Sequence, residues 1–392
     1  MSSQLRQYLI VTGNYWGFTL TDGALRMLVV LHFHTLGYSA LEIAFLFLFY
    51  EFFGIVTNLV GGWLGARIGL NRTMNLGLGL QILALAALLV PNHMLSVAWV
   101  MAAQALSGIA KDLNKMSAKS AIKALVPTDQ SSRLYRWVAM LTGSKNALKG
   151  VGFFVGGFML SLFGFRTAIL CMVLFLSLIW VFSLVTLRAP FQRAEHKPKF
   201  TELWSKSRAI NLLSAARLFL FGARDVWFVV ALPVFFSSVL GWEHTSVGTF
   251  FAAWVIGYGI VQASAPIITG RNPGIKATTV WCVLLTVVMG LITAISWAQV
   301  PEATTLVVGL LVFGAVFAIN SALHSFNIVH LASDQRVSMD VGFYYMSNAA
   351  GRLLGTVASG LLYTQFGLLA CLLTSTLFLL ISSIIVSRVP AR

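Results

Sequence analysis

Apolar residues fill this chain in long runs, and short polar stretches between the runs carry most of its charge. About 20 apolar residues in a helix cross the hydrocarbon of a bilayer. Twelve runs of that kind lie roughly at 8–34, 40–64, 73–91, 95–118, 134–161, 166–187, 209–238, 246–270, 276–297, 303–330, 340–363 and 367–388. Backbone polar groups in lipid must be satisfied within the segment, so all twelve are predicted to be helices. The first run holds Asp22 and Arg26 and has no small-residue cleavage site after a short apolar core. It is therefore read as a span rather than a cleaved leader.

One long polar stretch, APFQRAEHKPKFTELWSKS at 189–207, interrupts the series. It divides the chain into a six-span half at 1–188, a cytoplasmic linker, and a six-span half at 208–392. The halves repeat in register. Leu36-Gly37-Tyr38 matches Leu240-Gly241-Trp242 at a shift of 204, Thr128-Asp129-Gln130 matches Ser333-Asp334-Gln335 at 205, and Phe163-Gly164 matches Phe366-Gly367 at 203. At the last shift Lys149 falls on Arg352, Gly152 on Gly355 and Gly157 on Gly360. Two parallel six-helix halves with substrate between them near the midplane are the layout of major facilitator transporters. The loop GGWLGARIGLNR at 61–72 resembles the signature of that family, Gly-x-x-x-Asp-Arg-x-Gly-Arg-Lys. Gly62, Arg67 and Gly69 fit; Ala66 stands in place of the Asp, and Leu70-Asn71 in place of the basic pair, with Arg72 just after. The usual conformational salt bridge of this loop is therefore in question here. The expected fold is an all-α integral membrane protein: twelve transmembrane helices in the major facilitator arrangement, as two pseudo-symmetric six-helix bundles.

Composition agrees with a membrane class. The 392 residues are 58% apolar and 10% charged, against about a quarter charged in soluble chains. The net charge of +15 raises a nucleic-acid role, but its distribution argues against one. With both ends in the cytoplasm, the inner loops and tails hold Arg6, Arg67, Arg72, Lys123, Arg133, Arg193, Lys197, Lys199, Arg271, Lys276, Arg336 and Arg388, among others; the outer loops hold Arg166 and almost nothing else. That bias sets orientation in a bilayer. Cys171, Cys282 and Cys371 stand far apart in apolar runs and read as packing residues. No P-loop, HExxH or nucleophile elbow is present, so neither an enzyme nor an ATP-driven pump is indicated. His32 and His34 are two apart on a helix, so their rings diverge and make a poor metal pair. No cofactor is implied.

The informative residues are charges inside the runs. Runs three, six, nine and twelve are nearly free of them; runs one, two, four, five, seven and eleven carry them. A Lys or Arg at the bilayer centre costs roughly 2.5–3.5 kcal/mol or more, so these side chains must face protein, water or a partner. The basic set is Arg26, Lys111, Lys115, Lys145, Lys149, Arg217, Arg224 and Arg352; the acids are Asp22, Glu51, Asp112 and Asp225. If each acid neutralises one base, about four positive charges remain, which is costly for buried groups without a counter-ion. An anionic ligand bearing more than one charge resolves this, and since both halves supply bases a two-headed anion would bridge them. Arg offers forked hydrogen bonds to a phosphate or arsenate, and Lys a compact point charge. Helical spacing adds Asn320 and His324 on run ten and Asn348 beside Arg352 on run eleven as candidate substrate contacts. Asp22, Glu51 and Asp225 are candidates for coupling or charge balance, with Glu51 and His324 the candidate proton carriers. Lys119 is expected to snorkel to water at the cytoplasmic end.

Longer strings carry a closer resemblance. NYWGFTLTDGALRMLVVLHFH (14–34), NRTMNLGLGLQ (71–81), SGIAKDLNKMSAKS (107–120) and ARLFLFGARDVWFVVALPV (216–234) resemble the ArsJ organoarsenical efflux permeases. The resemblance implies export of an arsenylated phosphoglycerate across a bacterial inner membrane. It also implies functional pairing with the glyceraldehyde-phosphate dehydrogenase that makes this ester, and hence arsenate resistance. The alternative reading is a general organophosphate or phosphate exchanger, whose needs the buried cations meet equally well. A multidrug proton antiporter fits less well, because such cavities favour cationic or neutral guests. One chain of twelve spans is sufficient for transport, so a monomer is expected.

Overall fold

The computed structural model describes residues 3–36, 46, 48–127, 129–187, 207–270, 272–298, 303–334 and 336–390. Among the described residues there is no strand. The helices are α1 (Ser3–Thr35), α2 (Leu48–Ile68), α3 (Leu70–Ala87), α4 (Val97–Leu125), α5 (Ser131–Thr186), α6 (Arg208–Phe228), α7 (Ala231–Ser238), α8 (His244–Ile268), α9 (Ile275–Ala298), α10 (Ala303–Leu331) and α11 (Val337–Ser387). A short 3-10 turn, Asn92–Met94, precedes α4, whose N-cap Ser96 Oγ accepts from Trp99 N at 3.3 Å.

α5 and α11 are each two spans. Gly164 (φ 71, ψ 172) interrupts the first and Gly367 (φ 74, ψ −171) the second. This region of backbone space is essentially restricted to glycine. The contacts show that the chain reverses there. Along α1, Trp16 bonds Ser144 and Gly23 abuts Gly152, so the first part of α5 runs parallel to α1. Asn14 bonds Ser183, Gly17 abuts Ile179 and His32 stacks on Phe165, so the second part runs antiparallel. α11 repeats the pattern on α6. Gly351 abuts Leu218 and Gly355 abuts Gly222, while Ser375 bonds Ala223 O and Ser382 bonds Ala216 O. The two positive-φ glycines are those matched at the shift of 203. Gly241, in another matched landmark, also has positive φ (69°), and its counterpart Gly37 lies outside the described residues. Counting each part of α5 and α11 as a span, and α6 with α7 as one span at Arg208–Ser238, gives the twelve expected.

Close helix contact depends on small residues, as is general in bilayers, where lipid removes the hydrophobic drive between helices. A Cβ built on Gly152 would lie 2.7 Å from Leu20 O, and one on Gly355 2.6 Å from Gly222 O. Large apolar side chains point outward instead: Leu174, Leu178 and Val181 on the second part of α5, Val280, Val287 and Leu291 on α9, and Leu373, Leu377 and Leu380 on α11. An apolar exterior of this extent is stable only against hydrocarbon. These are spans six, nine and twelve, the charge-poor ones.

The helices cluster into two compact units. One comprises Met1–Gln130, Ser144–Trp204 and Ala332–Met346; the other comprises Ser131–Gly143, Ser205–Leu331 and Ser347–Arg392. The first unit has a core of Phe18, Leu25 and Phe33 (α1), Leu78 and Leu85 (α3), Val100 (α4), and Ile169 and Leu176 (α5). The second has an aromatic core built on Trp227, Phe236, Trp254, Phe313 and Phe317. Gly164→Ala and Gly367→Ala are each expected to cost about 1–3 kcal/mol and to lower the detergent melting temperature. Gly360→Ala, helical and with open space at the built Cβ, is the control and should leave melting unchanged or slightly raised.

Candidate functional site

In the first unit, α1, α2 and α4 bring charges together around one phenol. Tyr50 on α2 is buried, and its hydroxyl donates to Asp22 Oδ1 at 2.8 Å. Its ring lies beneath two cations, Lys111 Nζ at 3.7 Å and the Arg26 guanidinium at 4.8 Å. A ring face attracts a desolvated cation by up to about 2 kcal/mol without cancelling its charge. α4 reaches Tyr50 because position 108 is glycine: a Cβ there would lie 2.8 Å from Tyr50 O. One turn along, Lys115 Nζ is 2.6 Å from Asp112 Oδ1. Lys145 and Lys149 follow one another on α5 at a single helical turn, both half-buried, with Lys149 Nζ 5.9 Å from the Phe153 ring. Lys119 does not snorkel. It is buried, its ammonium donates to the Tyr345 hydroxyl, and the α11 segment that carries Tyr345 supplies the partner water was expected to be.

The second unit holds the arginines. Asp225, fully buried, takes Arg224 on Oδ1 (Nε at 2.6 Å) and Arg352 Nε on Oδ2 at 3.1 Å. Arg224 also lies over the Phe221, Phe317 and Phe228 rings at 4.9, 5.4 and 5.7 Å. Arg217 has amide and hydroxyl partners: Nε donates to Asn348 Oδ1 at 2.9 Å and Nη2 to Ser321 Oγ at 3.3 Å, over the Phe221 ring at 3.9 Å. Gln262 Nε2 donates to the same Ser321 Oγ at 3.0 Å.

Two candidates on α10 sit differently from each other. The Asn320 amide donates to Trp281 O (2.8 Å) and Val316 O (3.0 Å), so it joins α10 to α9. His324 is fully buried, and neither ring nitrogen has a hydrogen-bond partner among the described residues. The side chain of Glu51 lies outside the described residues. No group of three or more metal-ligating side chains occurs among the described residues.

Two organising residues escaped the sequence reading, Tyr50 and Ser321, because a tyrosine or serine in an apolar run looks like filler. A third omission was recoverable. The shift of 203 that takes Lys149 to Arg352 also takes Asp22 to Asp225, so one acid and one base recur at equivalent positions in the two halves.

The Major Facilitator Superfamily profile matches residues 8–326. The chain belongs to the Major Facilitator Superfamily. Solved structures of the superfamily's fold superpose over nearly its whole length. The human organic anion transporter MFSD10 (TETRAN) matches with a TM-score of 0.78 at 16% identity, covering 98% of this chain and 100% of that one. A bacterial homologue of the iron transporter ferroportin in the outward-facing state gives 0.77 at 15%, covering 97% and 98%. The Escherichia coli fucose:proton symporter FucP gives 0.75 at 11%, covering 99% and 100%. No curated protein matches the chain by sequence. Membership makes this a multi-pass membrane transporter.

Asp225 is the residue whose loss should be felt most. Asp225→Asn leaves two half-buried guanidiniums without their carboxylate, at an expected cost of at most about 3–5 kcal/mol. Arg352→Gln leaves the Asp225–Arg224 pair in place and should cost clearly less. Thermal unfolding in detergent, compared between the two variants, checks the order.

Proposed function

We propose that this transporter exports a small, multiply charged organic anion of the phosphate-ester class from the cytoplasm by rocker-switch alternating access, and that the anion is an arsenylated phosphoglycerate. The observation that supports the class is the imbalance at membrane depth, eight bases against four acids. The manner in which the bases are held adds to it. Lys111 lies against the Tyr50 ring at 3.7 Å. A ring face steadies a cation while leaving its charge for a guest. The arsenic ester is favoured by the four strings that resemble organoarsenical permeases. In this reading the chain acts as a monomer in a bacterial inner membrane, with both termini cytoplasmic and Asp22, Glu51 and Asp225 balancing charge through the cycle. Glyceraldehyde-phosphate dehydrogenase supplies the substrate. Among the neighbours in fold, MFSD10 is described as an organic anion transporter, which is in keeping with this reading.

The test is uptake into inside-out membrane vesicles supplied with glyceraldehyde-phosphate dehydrogenase, its substrate and NAD, with either arsenate or phosphate. Trapped arsenic that depends on both enzyme and arsenate, and is lost in Lys149→Ala and Arg352→Ala, is the expected result. Equal trapping of the ordinary phosphate ester would instead make the protein a general organophosphate carrier, and trapping of neither would overturn the anion reading.

A further inference from the structure

α6 and α10 lie side by side in the second unit and run in opposite directions. Arg217 Nη2 bonds Ser321 Oγ at 3.3 Å, the Phe221 and Phe317 rings lie 5.1 Å apart, and the Trp227 and Phe313 rings 5.2 Å. That register puts Ser214, one turn before Arg217, level with His324, one turn after Ser321. Ser214, Arg217 and Phe221 share a face of α6 at helical spacing, and Phe317, Ser321 and His324 share the facing side of α10. Arg217 lies close enough to act on the His324 ring electrostatically.

The polar residues of α10 divide by the neighbour they face. Asn320 and Asn327 turn to α9, where their amides donate to Trp281 O and Thr278 Oγ1 at 2.8 and 2.7 Å. His324 and Ser214 have no such partner. Ser214 Oγ and both ring nitrogens of His324 are buried without a hydrogen bond among the described residues. A buried helical hydroxyl has a local remedy in the carbonyl one turn back. Thr278 and Thr293 take it, and Ser214 does not. Buried polar groups of native proteins are almost always bonded, so three open atoms at one level of the helix pair point to a guest.

The atoms also define its chemistry. A neutral imidazole has one N–H and one bare nitrogen, and the bare nitrogen can only accept. The oxygens of a fully ionised phosphate, arsenate or carboxylate can only accept as well, so the charged ends of an anion would leave that nitrogen open. An ammonium would supply a proton, but the Arg217 charge repels it. A hydroxyl donates to the bare nitrogen and accepts from the Ser214 O–H. We propose that His324 and Ser214 form a subsite that reads a hydroxyl group on the transported anion. The subsite rests on the transport reading above, and it makes these two residues determinants of specificity rather than of charge balance. The glycerate body of the proposed ester has one free hydroxyl between its charged ends and meets this requirement.

The test uses the full chain in lipid nanodiscs. It is titrated calorimetrically with 3-phosphoglycerate and with 3-phosphonooxypropanoate, which has the same charges and lacks the hydroxyl. The unsubstituted protein should bind the first about tenfold more tightly, the effect of one buried polar group losing its hydrogen bond. His324→Leu should make the two affinities equal. His324→Gln, which keeps a donor and an acceptor, should restore most of the preference, and Ser214→Ala should narrow it. A side chain that only packs would weaken both ligands together and leave their ratio as it was. Equal affinities in the unsubstituted protein, or a preference that survives His324→Leu, would assign the open atoms to bound water and overturn the subsite while the anion reading stands. Binding of neither ligand would overturn the anion reading and the subsite with it.

Discussion

A positive charge at membrane depth has to be held by something, and that constraint organises this protein. In water a lysine ammonium is solvated from every side. In a helix bundle surrounded by lipid, the neighbouring helices must provide the solvation. The protein does this in two ways. Asp112 and Asp225 provide full counter-charges, to Lys115 in the first case and to Arg224 and Arg352 in the second. Tyr50, Tyr345 and Phe221 provide ring faces, which lower the cost of burial while leaving the field of the cation largely intact.

The two units solve the problem with different residues. The first relies on lysines and tyrosines, with the charge spread along α4 and α5. The second relies on arginines gathered at one aspartate and an aromatic wall. The guanidinium groups make directed, forked contacts with amide, hydroxyl and carboxylate oxygens, which suits fixed geometry. The lysines are compact point charges on flexible stems, which suits a ligand that changes position during transport. The repeat shared by the halves persists beneath this difference, in Asp22 with Asp225, Lys149 with Arg352, and the paired turns at Gly164 and Gly367.

Glycine makes these arrangements reachable. Gly108 lets α4 come close to Tyr50, and Gly62 with Gly342 lets segment 332–346 lie on α2. Gly23 and Gly152 join α1 to α5, as Gly222 and Gly355 join α6 to α11. A methyl carbon at these points would lie 2.6–3.1 Å from a facing backbone atom, so the helices would have to shift apart.

Much of this was legible in the chain itself. Twelve spans, the internal repeat and the sorting of charge among spans follow from periodicity and the cost of burying polar groups, both local properties; residues 189–206 of the linker lie outside the described residues. Even the reversals at Gly164 and Gly367 were marked by matched Phe-Gly pairs. The partners of the charges were not legible. Tyr50 serves Asp22 from 28 residues away, and Tyr345 serves Lys119 from 226 away. Nothing local separates those tyrosines from others in apolar runs. Lys119 shows the limit most plainly: its position near the end of a span predicted water, and the packing of α11 gave it a phenol. Sequence determined which segments enter the membrane and which charges they carry, because those depend on composition along one helix. Only the tertiary structure decided what each charge faces, because that depends on which distant helix lies alongside.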